Sequence, residues 1–312
     1  MTPVFEVLRP GVLSTLQDLG RPAGQAFGFG VAGAMDAFAL RVANLLAGNA
    51  PGAVALETGL GGLVLRVLED RVVTVCGANL GANVPLWKSA RIRKGQELVF
   101  PASAGGVWAY VAVEGGFSAA TFLGSASTDR RAARGGFEGR ALAKGDILQA
   151  LDPKGHAREG RGLIYSEIPS YPVRVDARVI LGPQEEMFRE ESVRAFLSSP
   201  YEVTSRSDRM GYHLKGPALA LRENVELLSE AVAFGSIQVP SDGQPIVLLA
   251  DRQATGGYAK VATVIGADLH KVVQTRPGGA IRFRAVEIEE AQESAARLAR
   301  LLSTLEAGCK TP

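Results

Sequence analysis

The densest run of groups able to bind or activate a small polar molecule is residues 229–258, which read SEAVAFGSIQVPSDGQPIVLLADRQATGGY. The apolar run Ile246–Ala250 sits between two polar loops. Asp242 and Gln244 precede it, and Asp251, Gln253, Thr255 and Tyr258 follow it. A carboxylate at the end of a buried strand is expensive to desolvate unless it is paired or in use. Gly256-Gly257 allows a ligand close to the backbone and leaves N–H groups to meet it. The same pattern also fits a β-hairpin whose polar residues only satisfy their own turns.

Other constellations carry less chemistry. Asp18 stands three residues before Arg21, a spacing that suits a local ion pair shaping a loop. Residues 28–33 read GFGVAG and match GxGxxG ahead of a helix. The segment before them, Arg21–Gln25, is not a buried strand, so a dinucleotide fold is disfavoured. There is no Gly-Lys dipeptide and hence no P-loop. His156, His213 and His270 lack metal-ligand spacing, and no metal site is evident. No Lys is flanked by Met, so the chain has no attachment site for covalent biotin.

The elements that must position these residues are mostly strands. β-Branched runs at Arg71–Cys76, Val107–Val113, Val173–Leu181, Pro245–Ala250, Val261–Ile265 and Ala280–Phe283 alternate with glycine-containing turns. A turn-then-strand unit recurs at 93–98, 143–148 and 276–278, as in barrel hairpins. Helices are predicted over 35–47, stopping at Gly48-Asn49, over 184–197, and over 288–306. A polar stretch, 152–171, is either a linker or a long surface loop. It divides an N-terminal β subdomain, 1–160, from a C-terminal subdomain, 161–312, that ends in a helix.

The chain has 312 residues, 46% hydrophobic and 21% charged, with a formal net charge of +2. That composition suits a globular protein and gives no basic patch for nucleic acid. Arg130, Arg131 and Arg134 are interrupted by Ala and Gly and read as a solvated loop. No apolar run approaches a membrane span, and Met1–Glu6 has no leader character. Cys76 belongs to a strand and Cys309 to the C-terminal tail, with no CxxC motif. A cytoplasmic location is expected.

Several motifs together resemble one family. They include QDLGR at 17–21, GAMD at 33–36 with ANLLAGN at 43–49, LGSAST at 123–128, LGPQ at 181–184 and SDRMG at 207–211. Gly115-Gly116, Ser229-Glu230, Gln238-Val239-Pro240, DGQPI at 242–246, DRQ at 251–253, TGGY at 255–258, Ala267-Asp268-Leu269, Gln274 and Arg276-Pro277-Gly278 complete the set. The chain resembles the C subunits of 5-oxoprolinase, a family also called allophanate hydrolase subunit 2 or biotin-dependent carboxyltransferase-like proteins. The resemblance implies a mainly β fold of cyclophilin-like β-barrel subdomains with a few peripheral helices. It also implies the A and B subunits of 5-oxoprolinase as partners, the B subunit being kinase-inhibitor-like. ATP used at the level of the complex, and opening of 5-oxo-L-proline to L-glutamate, are implied as well. The family's TTGGYP reads ATGGYA at 254–259 here, so one hydroxyl is missing at Ala254.

Within that resemblance Asp251 is the expected general base, or the group orienting the attacking water. Asp242, Gln244, Gln253, Thr255, Gly256, Gly257, Tyr258, Gln274 and Arg276 are the expected substrate-binding residues, with Arg276 as charge partner of a carboxylate. Two alternatives stay open: carboxyl transfer from biotin carried on another protein, as in urea carboxylase, and sequestration of a kinase inhibitor that resembles the B subunit.

Overall fold

Period-two burial organises the chain. In β10 (Arg174–Leu181) Val175, Ala177 and Val179 are buried while Arg174 and Asp176 are exposed, as expected where one face of a sheet meets a core. The computed structural model describes residues 1–153, 155–223 and 227–310. The fold is mainly β, as expected. Its contacts divide it into two units. Unit 1 holds Met1–Arg21, Ala32–Ser170 and the described part of Arg300–Pro312; unit 2 holds Pro22–Val31 and Tyr171–Ala299. The division thus falls at 170/171, inside the polar stretch but ten residues beyond the expected 160/161, and each unit also takes a segment from the other half of the sequence.

Unit 1 carries two sheets. β1 (Thr2–Pro10), β4 (Leu63–Val67), β7 (Glu97–Phe100) and β9 (Ile147–Ala150) pair in the order β7-β4-β1-β9. β2 (Leu13–Gln17), β3 (Ala55–Gly59), β5 (Arg71–Asn79), β6 (Ser89–Ile92) and β8 (Gly105–Val113) pair in the order β2-β3-β8-β5-β6. Val4, Phe5, Val7, Leu63 and Leu65 of the first sheet share one core with Val73, Val75, Ala109 and Val111 of the second. Helix α1 (Ala37–Leu46) packs on β5 and β8. β5 is therefore covered on both faces, which is why its residues 71–78 are all buried. Cys76 is buried in this strand, and that burial pushes its thiol well above the ordinary range.

In unit 2, seven strands close a barrel. They are β10, β11 (Pro200–Val203), β12 (Gly211–Lys215), β14 (Ser236–Val239), β15 (Ile246–Leu248), β17 (Ala259–Val264) and β18 (Ala280–Ala285). The order is β10-β17-β14-β15-β12-β11-β18, closed by the parallel pair β10–β18. β13 (Glu230–Ala231) and β16 (Thr255–Gly256) form a separate two-stranded ribbon. Helix α2 (Glu190–Ser198) lays Phe196 against Phe283 of β18, with stacked rings 4.8 Å apart. α3 (Leu269–Val273) packs on β10.

The expected helix over 184–197 is broken. A 3₁₀ turn at Glu185–Met187 precedes extended backbone at Phe188 and Arg189, and α2 begins at Glu190. The cause is strand-like pairing: Phe188 bridges Leu221, and the Arg189 N–H donates to the Ala220 carbonyl. The last helix, α4 (Ile288–Lys310), extends beyond its expected end. Cys309 consequently lies in a helix and is buried, not in a loose tail. No described helix is long and apolar enough to cross a membrane.

Candidate functional site

The polar loops of 229–258 meet on unit 2. The ribbon pairs Glu230 with Gly256 and Ala231 with Thr255. Gln25 anchors beneath it: its side-chain amide donates to the carbonyls of Val232 (3.0 Å) and Ala254 (2.9 Å). Arg252 is buried; its Nε donates to the Val232 carbonyl, and its guanidinium stands 5.8 Å from the centre of the Phe234 ring. Gln238 of β14 faces the ribbon. Its Oε1 accepts from Gln253 Nε2 and its Nε2 donates to the Tyr258 carbonyl, both at 3.4 Å. A Cβ on Gly256 would stand 2.6 Å from Gln238 Nε2, so glycine there lets the amides approach the backbone. Tyr258 is 53% exposed at the edge of this group.

Under the same ribbon lies a cation. Lys260 of β17 is opposite Gln238 of β14, beside a bulge in the ladder. Its side chain is only 7% exposed, and its ammonium pairs with the Glu230 carboxylate. Gln184 clips the two together: Nε2 donates to Glu230 Oε1 at 2.6 Å, and Oε1 accepts from the Lys260 backbone N–H at 3.2 Å. Gly182 makes this turn fit, since a Cβ there would lie 2.1 Å from the Lys260 carbonyl oxygen. Hydrogen bonding and charge from Lys260 hold the Glu230 carboxyl below its ordinary value.

The structure brings together Gln253, Thr255, Gly256, Gly257 and Tyr258 from the expected set. It uses the others elsewhere. Both oxygens of Asp251 accept from Arg209, at 2.8 Å from Nε and 2.9 Å from Nη2, and the Arg209 side chain is 4% exposed. That is a bidentate ion pair tying the loop after β15 to the start of β12. Asp242 accepts from the Gln244 N–H within its own turn. The Gln244 amide clasps Gly216, accepting from its N–H and donating to its carbonyl. Gln274 is buried at the end of α3, while Arg276 is exposed on the turn 276–279.

Sequence reasoning assigned no role to Lys260, Glu230, Gln184 or Gln238. A signal existed for Lys260: a lone ammonium inside the buried run Ala259–Val264 requires a partner.

In unit 1, Asp18 does not pair locally with Arg21. Its carboxylate accepts from the hydroxyls of Ser125 and Ser127 and the N–H groups of Gly20 and Ala126. Arg21 pairs instead with Asp129 and also donates to the Ser127 carbonyl. Together these bonds pin the loop 122–129. A second buried group joins Glu57, which accepts from the Tyr110 hydroxyl (2.7 Å) and the Met35 N–H (2.8 Å). Burial, then the charges of Glu57 and Asp36, push Tyr110 well above its usual range. Among the described residues no group of three or more His, Cys, Asp or Glu is placed to hold a metal ion.

A family model described as "Carboxyltransferase domain, subdomain A and B" matches residues 27–285. A Haemophilus influenzae protein, named as the C subunit of 5-oxoprolinase, is 40% identical over 92% of this chain and 93% of its own length. The solved structure of a protein called TTHA0988 is 38% identical, with a TM-score of 0.79, over 90% of this chain but 55% of that one. The structure of the K. lactis urea amidolyase superimposes over 98% of this chain and 20% of its own, with a TM-score of 0.91 at 26% identity.

Proposed function

The chain belongs to the family of carboxyltransferase domains, subdomains A and B, in its group of 5-oxoprolinase C subunits, and on that premise we propose that it works within an ATP-dependent 5-oxoprolinase complex. The reaction is the hydrolytic opening of 5-oxo-L-proline to L-glutamate, with the A and B subunits as partners and the nucleotide used at the level of the complex. The carrying observation is the group of side-chain amides, Gln238 and Gln253, gathered against the backbone of Gly256 beneath an exposed Tyr258. An amide presents a donor and an acceptor side by side, which suits the N–H and C=O of a lactam. The bond between them and the one from Gln238 to the Tyr258 carbonyl, both 3.4 Å, are long, so exchanging them for a ligand loses little.

In this reading Gln253 and Gln238 hold the ring amide, the Gly256 and Gly257 backbone allows the close approach, and Tyr258 covers the exposed side. Asp251, fixed by Arg209, keeps the loop in shape and does not serve as base. Water is activated by groups of the assembled complex. Co-expression with the A and B subunits, followed by an assay of 5-oxoproline-dependent ATP hydrolysis and glutamate release, tests the reading. Turnover is expected from the three together and none from this chain alone. Full turnover by the other two without this chain would overturn it. The close superposition on urea amidolyase favours a second reading, carboxyl transfer from biotin carried in trans. It predicts consumption of carboxybiotin by this chain with its partner and no dependence on 5-oxoproline.

A further inference from the structure

The ion pair under the ribbon is asymmetric. Lys260 is fixed: its backbone is part of the barrel and its side chain is 7% exposed. Glu230 is carried on a two-residue strand at the surface, and its side chain is 48% exposed. Gln184 adds a second donor to the same oxygen, Glu230 Oε1. An ammonium and an amide N–H converging on one carboxylate oxygen form a carboxylate receptor. A buried ammonium keeps a counter-charge because leaving it bare is costly. Nothing in that requirement fixes which carboxylate supplies it. Around this pair stand the amides of Gln238 and Gln253, through the pairing of Gln238 with Lys260 and of Gly256 with Glu230.

We propose that Lys260 and Gln184 are the carboxylate-binding pair of this site, and that Glu230 is a built-in stand-in which a carboxylate-bearing ligand displaces. The ligand's carboxylate takes the two donors, and Glu230, already half in water, swings outward. With the ribbon freed from Lys260, the same event loosens the strand that carries Glu230 opposite Gly256. Lys260 replaces the exposed Arg276 as the charge partner of the substrate. This identification of the substrate end rests on the lactam reading above; the displacement itself does not.

The test is calorimetric titration of the full chain, assembled with its partners, as wild type, E230Q and K260M. The probes are 5-oxo-L-proline, its carboxamide, and glutarate, a carboxylate with no lactam. E230Q removes the competing charge and stays at an exposed position, so it is expected to bind both carboxylates at least about tenfold tighter, the scale of one charge-assisted hydrogen bond. The carboxamide should bind E230Q as it binds wild type. K260M should lose affinity for both carboxylates. If glutarate follows this pattern and 5-oxoproline binds to no variant, the lactam reading fails and the carboxylate receptor stands. Carboxylate affinity that is unchanged or weaker in E230Q, or no carboxylate binding to any variant, overturns the proposal and leaves Lys260–Glu230 a structural pair.

Discussion

A single guanidinium decides how Asp251 is read. Residue type and position, an acid just past a buried strand, fit a base and fit an ion pair equally well from sequence. The answer lies 42 residues away, where Arg209 engages both oxygens. Asp251→Asn should therefore destabilise the chain by on the order of 2 kcal/mol, because it removes the charged half of a bidentate pair with a nearly buried guanidinium. Thermal unfolding of the purified chain should show a Tm lower by a few degrees. Turnover of the assembled complex, assayed well below that Tm, should stay within a few-fold of wild type. A loss of roughly 100-fold at unchanged Tm would restore Asp251 as a general base. Lys260 shows the opposite limit of legibility. Its partner Glu230 is 30 residues upstream and its clip Gln184 is 76. Both were visible as motif residues, but only a closed barrel sets them beside the lysine.

Elements with strong local signals follow the sequence closely. α1 ends as its Gly48-Asn49 predicts. Gly48 has φ +76°, its N–H donates to the Leu45 carbonyl, and the Asn49 N–H donates to the Asn44 carbonyl, the paired bonds of a Schellman cap. Gly48→Ala should cost at least about 1 kcal/mol for the left-handed backbone alone. A steric penalty adds to it, since the new Cβ would sit 2.6 Å from the Ala157 nitrogen. Equilibrium denaturation should register the sum, and a variant as stable as wild type would mean that the cap relaxes freely. Where the signal was propensity alone, tertiary pairing won: residues 184–197 have acidic groups suited to a helix start, yet the bridge from Phe188 to Leu221 holds the chain extended before α2. The two-residue strands β13 and β16 were illegible as strands, because a ribbon of that length has no periodicity to read.

For the molecule as a whole, one clear source of acid sensitivity is Asp268; Asp146, Glu230 and Glu290 are also held below their ordinary values by their cationic partners. Burial pushes the Asp268 carboxyl up, but hydrogen bonds from the side chain and backbone of Arg178 and from Lys271 outweigh burial and hold it at about 2. With the folded value below an unfolded value near 4, the contribution is complete above about pH 4 and is lost as pH falls toward 2; it amounts to about 2 kcal/mol. Urea unfolding at pH 7, 4 and 2.5 should show that loss in wild type and a shallower one in Asp268→Asn. Equal slopes would remove Asp268 from the account.

The two segments that cross over between the halves of the sequence constrain the order in which the protein can be made. Gln25 has to wait for Val232 and Ala254, which follow it by 207 and 229 residues. Arg161 donates to the carbonyl of Cys309, 148 residues later, and Leu46 and Leu163 face Leu301 and Leu305 across one cavity. As the chain leaves the ribosome, unit 1 cannot finish before nearly all of unit 2 has been synthesised. Its apolar seat for the end of α4 stays uncovered for most of that time. The last step of folding is thus late, and until then the exposed apolar surface invites aggregation. A fragment ending at Ser170 keeps both sheets but lacks that covering turn of helix, and it should be recovered mainly as insoluble protein unless residues 300–310 are supplied with it.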